Sequence, residues 1–154
     1  MQWSEVNFGK FSGSSLPQII FKDADWFFHA YENGYFKGPV AAEARELYRR
    51  ARSIKIPQRN GQNMVVQYLS HPDLKSSTVK FGTMGLIAEG PGLGHLNVSP
   101  VIDFHVPRSM ARYDKTGNKN FVAALKAILW GDPSKRMNRR ACEAFFSDDE
   151  NFVL

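Results

Sequence analysis

The sequence predicts an α+β fold: an N-terminal hairpin and helices, then a central antiparallel sheet of about three to five strands, then two C-terminal helices. Apolar residues recur with helical spacing towards both ends of the chain. Between them, β-branched and aromatic residues form runs separated by Gly- and Pro-rich turns. Hydrophobic residues make up 43% of the 154 residues and aromatic residues 13%, which is enough for a packed core and argues against disorder.

The N-terminal segment has the pattern of a short hairpin followed by a helix. Residues 3–11 alternate in polarity, and Gly9 and Gly13 are suited to turns. Ser15 and Gln18 have the spacing of a capping box, in which each residue satisfies a free amide at the start of a helix. We therefore expect the first helix to begin at this point.

Two further helices are expected before residue 56. Asp23 can cap a short, aromatic-rich helix that ends at Asn33 and Gly34. A longer helix should run from about Pro39 to Ser53, because its apolar residues recur on one face.

The middle of the chain reads as three strands, covering residues 64–69, 78–88 and 96–106. Gly82 and Gly85 lie inside the second strand, where glycine indicates a bulge or a close approach of another backbone.

Helical periodicity returns from about Asn118 and ends at Gly131. Asp132 followed by Pro133 is typical of a helix cap and first helical position, so a last helix is expected from there. Its predicted inward residues are Met137, Ala141, Ala144 and Phe145.

Two motifs stand within the first 35 residues: the run from Phe8 to Gly13 reads FGKFSG, and residues 23–26 read DADW. This arrangement resembles the small module at the C-terminal end of exodeoxyribonuclease-X-type exonucleases, which also recurs in short bacterial and phage proteins. The resemblance implies a role in nucleic-acid metabolism or mobile-element biology and brings no catalytic residue. The chain departs from the commoner form at Ser12 and Ser14, where a lysine or arginine often follows the turn. That departure weakens the case for nucleic-acid contacts by this loop.

Domain organisation follows from the same patterns. We expect residues 1–56 to form the module with a basic helix, and residues 57–154 to form the sheet with the C-terminal helices, the two packed as one globular unit. The single cysteine, Cys142, excludes an intramolecular disulfide. A cytoplasmic protein is expected, with no membrane span, no secretory leader and no cofactor.

Cationic residues are concentrated in the third helix, within a chain of net charge +5. Arg45, Arg49 and Arg52 recur at i, i+4 and i+7, so they form one stripe beside the apolar face. Arginine forks pair well with phosphate oxygens, which predicts contacts to DNA or RNA. The alternative is a merely solvated helix face. The predicted nucleic-acid contacts are Lys10, Arg45, Arg49, Arg50, Arg52 and Arg59.

Asp103 and His105 are weaker candidates for chemistry. On a strand these two side chains would share one face, and His95 lies in the turn before that strand. The three side chains could therefore hold a metal ion or form an acid–base pair. Spacing of this kind is common by chance, and exposed residues on an edge strand need no function. No metal ligand is therefore assigned.

The charge pattern favours a non-enzymatic protein that uses its basic helix to bind nucleic acid or a complex handling it, and the resemblance implies a phage or bacterial mobile element as its setting. One alternative is a metal-assisted phosphodiester hydrolase with its site on the central sheet. Another is a protein-interaction or inhibitor module, whose acidic tail and aromatic surface would dock a partner protein or a second copy of the chain. The oligomeric state stays open.

Overall fold

The computed structural model describes residues 1–76, 78–92 and 97–154, and within them it confirms the α+β class. In the described residues three helices come first, then the strands of two antiparallel sheets, then three more helices. The helices are α1 (Leu16–Lys22), α2 (Ala24–Glu32), α3 (Pro39–Ala51), α4 (Val106–Met110), α5 (Lys115–Trp130) and α6 (Arg139–Ser147). The strands are β1 (Ile54–Lys55), β2 (Met64–Asp73), β3 (Thr78–Ala88), β4 (Val98–Ser99) and β5 (Val101–Ile102).

The predicted N-terminal hairpin is a loop closed by hydrogen bonds, with one isolated bridge in place of paired strands. Val6 N–H donates to the Ser14 carbonyl at 2.8 Å, and Gly13 N–H donates to the Val6 carbonyl at 2.7 Å. Gly9 and Gly13 have φ of +73° and +92°, so both turns use a backbone conformation that favours glycine. The loop leads directly into α1.

The first three helices begin where their caps predict. The Gln18 side-chain oxygen accepts from the backbone N–H of Ser15 at 3.1 Å, and α1 follows. An Asp23 carboxylate oxygen accepts from Trp26 N–H at 3.1 Å at the start of α2. Helix α3 ends two residues before the predicted Ser53.

The main sheet has the strand order β3–β2–β4 and is antiparallel throughout. Strand β3 has its predicted bounds, whereas β2 runs four residues further than expected. The register shifts between Leu69 and Ser70, which leaves Gly82 as the extra residue on β3. The predicted bulge is therefore confirmed. A Cβ at Gly82 would lie 3.0 Å from the Leu69 carbonyl oxygen, so a larger residue would push against the neighbouring strand.

The single strand predicted over residues 96–106 is wrong. Val98 pairs with Gln67 in the main sheet, but Ile102 pairs with Ile54 in a separate two-stranded sheet, so the chain changes sheets at Pro100. The following residues then turn into α4. A proline between the two short strands interrupts any continuous ladder, which explains the difference.

The C-terminal helices differ from prediction at their starts. Helix α5 begins at Lys115, three residues early, because the Asp114 side chain accepts from Gly117 N–H at 3.1 Å. Helix α6 begins at Arg139 and is capped by Asn138, whose side chain accepts from Ala141 N–H.

The predicted start of the last helix at Asp132 is wrong. A carboxylate oxygen of Asp132 accepts from Ser134 N–H at 2.9 Å, which makes a local turn instead of a helix cap. The inward face also differs, since Ala144 is exposed while Cys142, Phe145 and Phe146 are buried.

One hydrophobic cluster joins the two ends of the chain. Trp3 donates its ring N–H to the Ser147 hydroxyl at 3.0 Å, and the Ser15 hydroxyl donates to Glu143 at 3.0 Å. Val153 N–H donates to the Ser53 carbonyl. Helices α1 and α3 therefore pack against α6. No helix in the described ranges is both long and apolar enough to traverse a bilayer.

Arg108 lies at the centre of a buried ion-pair cluster beneath α2. Its side chain is 3% exposed and donates to Asp25 at 2.6 Å and to Glu32 at 2.9 Å. The second carboxylate oxygen of Asp25 accepts from Tyr113 N–H at 3.1 Å. The cluster thus fixes α4 and the turn before α5 against α2.

We expect acid to weaken this cluster. The hydrogen bond from Arg108 holds the pKa of Glu32 below its ordinary value of 4.5, so this carboxylate stabilises the fold fully above that value. The stabilisation is lost as pH falls through the lowered folded-state pKa. Urea unfolding of the protein and of Glu32→Gln measures the effect: the difference in free energy of unfolding between them should be larger at about pH 7 than at about pH 3. A difference that is independent of pH would contradict this assignment.

Candidate nucleic-acid interface

The predicted arginine contacts on α3 are engaged mostly within the protein. Arg50 is 8% exposed. It donates to Glu46 at 2.8 Å, to Asp149 at 2.6 Å and to the Phe146 carbonyl at 3.2 Å. These bonds join α3 to the C-terminal turn at Asp149–Asn151. Arg50 is therefore a structural residue that is poorly placed to reach a phosphate.

The other α3 arginines form a less continuous surface than their spacing predicts. Arg52 donates to Asp103 at 3.2 Å and to the Tyr48 hydroxyl at 2.8 Å. Arg49 is exposed and pairs with Glu46. Arg45 is exposed and has no ion pair among the described residues. Two of the three arginines in the stripe thus already have a carboxylate partner.

The remaining predicted contacts, Arg59 and Lys10, lie apart from α3. Arg59 donates to the Ile128 carbonyl at 3.3 Å. Lys10 is in the N-terminal loop, where its ammonium lies 3.1 Å from Asp23 and 5.1 Å from the centre of the Phe11 ring. The structure therefore distributes the six predicted residues over several surfaces.

The Asp103 and His105 pair does not have the geometry predicted for it, because neither residue is on a strand. Asp103 accepts from Arg52 and from His105 N–H, the latter at 2.8 Å, which is a local turn. The His105 ring lies 3.3 Å from Glu32. His95, the third candidate, lies outside the described residues.

Other reactive groups near this region are structural. Tyr68 donates to the Val101 carbonyl and accepts from Asp103 N–H, and burial raises the pKa of Tyr68 to about 12. Burial likewise raises the pKa of the Cys142 thiol to about 11, which suppresses the reactive thiolate. Within the described ranges no group of three His, Cys, Asp or Glu side chains could hold a metal ion.

A lysine-rich groove lies between α5 and the N-terminal segment and was missed by the sequence analysis. One wall is α5, where Lys115, Lys119 and Lys126 recur at i, i+4 and i+11 beside Val122. Residues at these spacings share one helix face. At 1.5 Å per residue, the lysines cover roughly 16 Å along the helix axis.

The N-terminal loop and the junction of α1 with α2 form the other wall. Lys10, Phe11, Phe21 and Lys22 line it, and the depression has a volume of about 520 Å³. A second depression shares Phe11 and Lys22 with it as lining residues, and a third shares Lys10 and Lys115. We call this continuous surface the lysine groove. Its floor is partly aromatic and its rim is cationic.

Little negative charge offsets these lysines. Asp23 is the carboxylate that lines the main depression, and it pairs with Lys10 while capping α2. Lys22, Lys115, Lys119 and Lys126 make no ion pair or side-chain hydrogen bond within the part of the chain that the structure describes. Four cations therefore remain available to an anionic ligand.

The position of Lys115 is unfavourable for the helix itself. Lys115 lies in the first turn of α5, where the helix dipole favours negative charge, and that turn contains no acidic residue. The Asp114 cap offsets part of this repulsion. The positive charge at this end of α5 is therefore balanced only in part by the cap.

Comparison with known proteins gives no further assignment: no protein-family model, no curated protein and no solved structure matches this chain. The resemblance of the first 35 residues to the exonuclease-X-type module stays a prediction.

Proposed function

We propose that this protein binds nucleic acid without catalysing a reaction on it, and that the lysine groove is the contact surface. The observation that carries the proposal is a set of four lysines around one groove that have no ion-pair partner among the described residues: Lys22, Lys115, Lys119 and Lys126. Lys10 contributes a fifth positive charge from the loop that resembles the exonuclease-X-type module. The phage or mobile-element setting rests on that resemblance alone.

The chemistry of the groove fits a phosphate backbone. Lysine ammonium groups are compact point charges that neutralise phosphates and release condensed counterions. Phe11 and Phe21 line the same depression, so apolar surface lies beside the charges. A combination of cationic rim and aromatic floor is what single strands and exposed bases bind in other proteins.

The α3 surface offers less to such a ligand. Arg50 is buried, and Arg49 and Arg52 each have a carboxylate partner that a phosphate would have to displace. Arg45 alone is exposed without an ion pair among the described residues. The proposal therefore keeps the predicted function but assigns it to α5 and the N-terminal loop.

The test is a fluorescence-anisotropy titration with labelled nucleic acid at two salt concentrations. We expect affinity to fall steeply with salt, and Lys115→Glu/Lys119→Glu to weaken binding at least about tenfold at low salt. If both lysines contact phosphates of a single strand, the slope of log affinity against log salt should become shallower by roughly 1.4.

Two control variants carry the same change of net charge. Lys37→Glu/Lys75→Glu alters exposed lysines outside the groove and should bind within about twofold of the unaltered protein. Arg45→Glu/Arg49→Glu tests the stripe on α3. Loss of binding in this variant and retention in the groove variant would place the interface on α3. Absence of binding at low salt would contradict the proposal and favour a protein-interaction module.

A further inference from the structure

Tyr113 is an exposed aromatic side chain at one end of the lysine groove. It is 67% exposed and lies in the turn between α4 and α5, directly before the Asp114 cap. The Arg108 guanidinium carbon lies over the ring at 6.0 Å from its centre, and the His29 ring lies 6.2 Å away. Neither neighbour covers the side chain, so most of the ring surface is in contact with solvent.

The backbone holds Tyr113 in an unfavourable conformation. Its φ is +61°, in the left-handed region that an aromatic residue rarely adopts, and glycine or asparagine would be less strained there. The Tyr113 N–H donates to Asp25 at 3.1 Å, and Asp25 is itself held by the buried Arg108. Asp25 and Arg108 therefore hold the strained turn in place, and the turn leaves the aromatic ring of Tyr113 exposed. Strain of this kind, maintained by surrounding structure, is concentrated at binding sites.

Tyr113 shares a small depression with groove residues. This depression has a volume of about 180 Å³ and is lined by Lys10, Trp26, His29, Lys115 and Tyr113, together with Asp23, Asp25 and Asn118. Lys10 and Lys115 also line the main depression, so the aromatic ring and the cations belong to one continuous surface. Phosphate contacts and a stacking surface thus lie side by side.

We propose that the ligand of the lysine groove is single-stranded nucleic acid, with an unpaired base stacked on the exposed Tyr113 ring and its flanking phosphates on Lys115 and Lys119. This inference rests on the function proposed above. A duplex presents phosphates but keeps its bases stacked on one another, so it could use the lysines without using Tyr113. An unpaired base offers its π-face to an exposed aromatic ring whatever the base, which is how sequence-tolerant single-strand binding arises.

Two substitutions at position 113 distinguish the effect of the aromatic ring from the effect of the backbone conformation. Tyr113→Asn keeps a residue that tolerates positive φ but removes the ring, whereas Tyr113→Trp keeps an aromatic surface. Affinity is measured for an oligothymidylate of about 20 nucleotides, the matching oligouridylate and a duplex of equal length, with thermal unfolding followed by circular dichroism as the check on folding.

We expect the unaltered protein to prefer the single strands. Tyr113→Asn should weaken single-strand binding by roughly 5- to 100-fold and duplex binding by less than about twofold, while Tyr113→Trp should stay within about threefold of the unaltered protein. The two oligonucleotides distinguish DNA from RNA as the source of the strand. If Lys115→Glu/Lys119→Glu abolishes binding but Tyr113→Asn leaves it unchanged, the groove binds nucleic acid and the stacking inference is overturned. If no nucleic acid binds at low salt, both proposals fail together.

Discussion

Replacing the buried Arg108 by methionine should destabilise the protein by about 3–5 kcal/mol, the largest loss we expect from a single substitution. Methionine fills much of the same space but makes no ion pair. Asp25, which is 5% exposed, would then retain one backbone donor from Tyr113 and no cation. A buried carboxylate in that state is strongly disfavoured. Urea unfolding of the two proteins at neutral pH measures the loss.

A second substitution tests the physical reason. Arg108→Met/Asp25→Asn removes the unpaired charge while the asparagine oxygen can still accept from Tyr113 N–H. This double variant should recover a large part of the lost stability, because the cost comes from the buried charge. A loss below about 1 kcal/mol in the single variant, or no recovery in the double variant, would show that the cluster is not a principal support of the fold.

Gly117→Ala should destabilise the protein by about 2–4 kcal/mol although alanine is the better helix former. Gly117 is buried in the first turn of α5, and a Cβ there would overlap the Oδ2 atom of Asp114 and lie 3.0 Å from its Cγ. Phe81 stands 3.5 Å away on the sheet side. The helix cap would have to move or lose its bond to Gly117 N–H, which weakens α5 as well as its packing.

Two comparisons make this prediction specific. Gly85→Ala is the matched control, because nothing lies within 4 Å of the added Cβ, and it should change stability by less than about 1 kcal/mol. In an Asp114→Ala background the overlap is absent, so Gly117→Ala should become neutral or stabilising. A cost that persists in that background would assign the effect to Phe81 instead of the cap.

Features that depend on neighbouring residues could be read from the sequence. Ser15 with Gln18, and Asp23 before an aromatic run, are local signals, and the helices begin at both. The bounds of β3 and the bulge at Gly82 were likewise accessible, since glycine inside a β-rich run has few structural uses.

Features that depend on competing local signals were harder to predict. Asp132 and Asn138 both have the local pattern of a helix cap. The helix starts at the second one, and its buried residues are Cys142, Phe145 and Phe146, which the local pattern does not show. Pro100 separates two strands that pair in different sheets, and alternation along the chain does not show which partner each strand takes.

The lysine groove was missed for a related reason. A predicted start at Asn118 left Lys115 outside the helix, so its spacing to Lys119 and Lys126 was not recognised. Asp114 directly before Lys115 is the signal that would have corrected this, because aspartate is a favoured helix cap. No sequence pattern brings Lys10 and Lys22 to the same groove, because tertiary packing alone does so.

The bonds from Trp3 to Ser147 and from Ser15 to Glu143 also bear on how the chain folds during synthesis. Each joins residues separated by almost the full length of the sequence. Helices α1 and α3 are synthesised before α6, the helix that packs against both of them. At elongation rates of about 5–20 residues per second, the apolar faces of α1 and α3 lack their native contact with α6 for several seconds. Closure of the core is therefore a non-local step, of the kind that slows folding and leaves apolar surface exposed in the nascent chain.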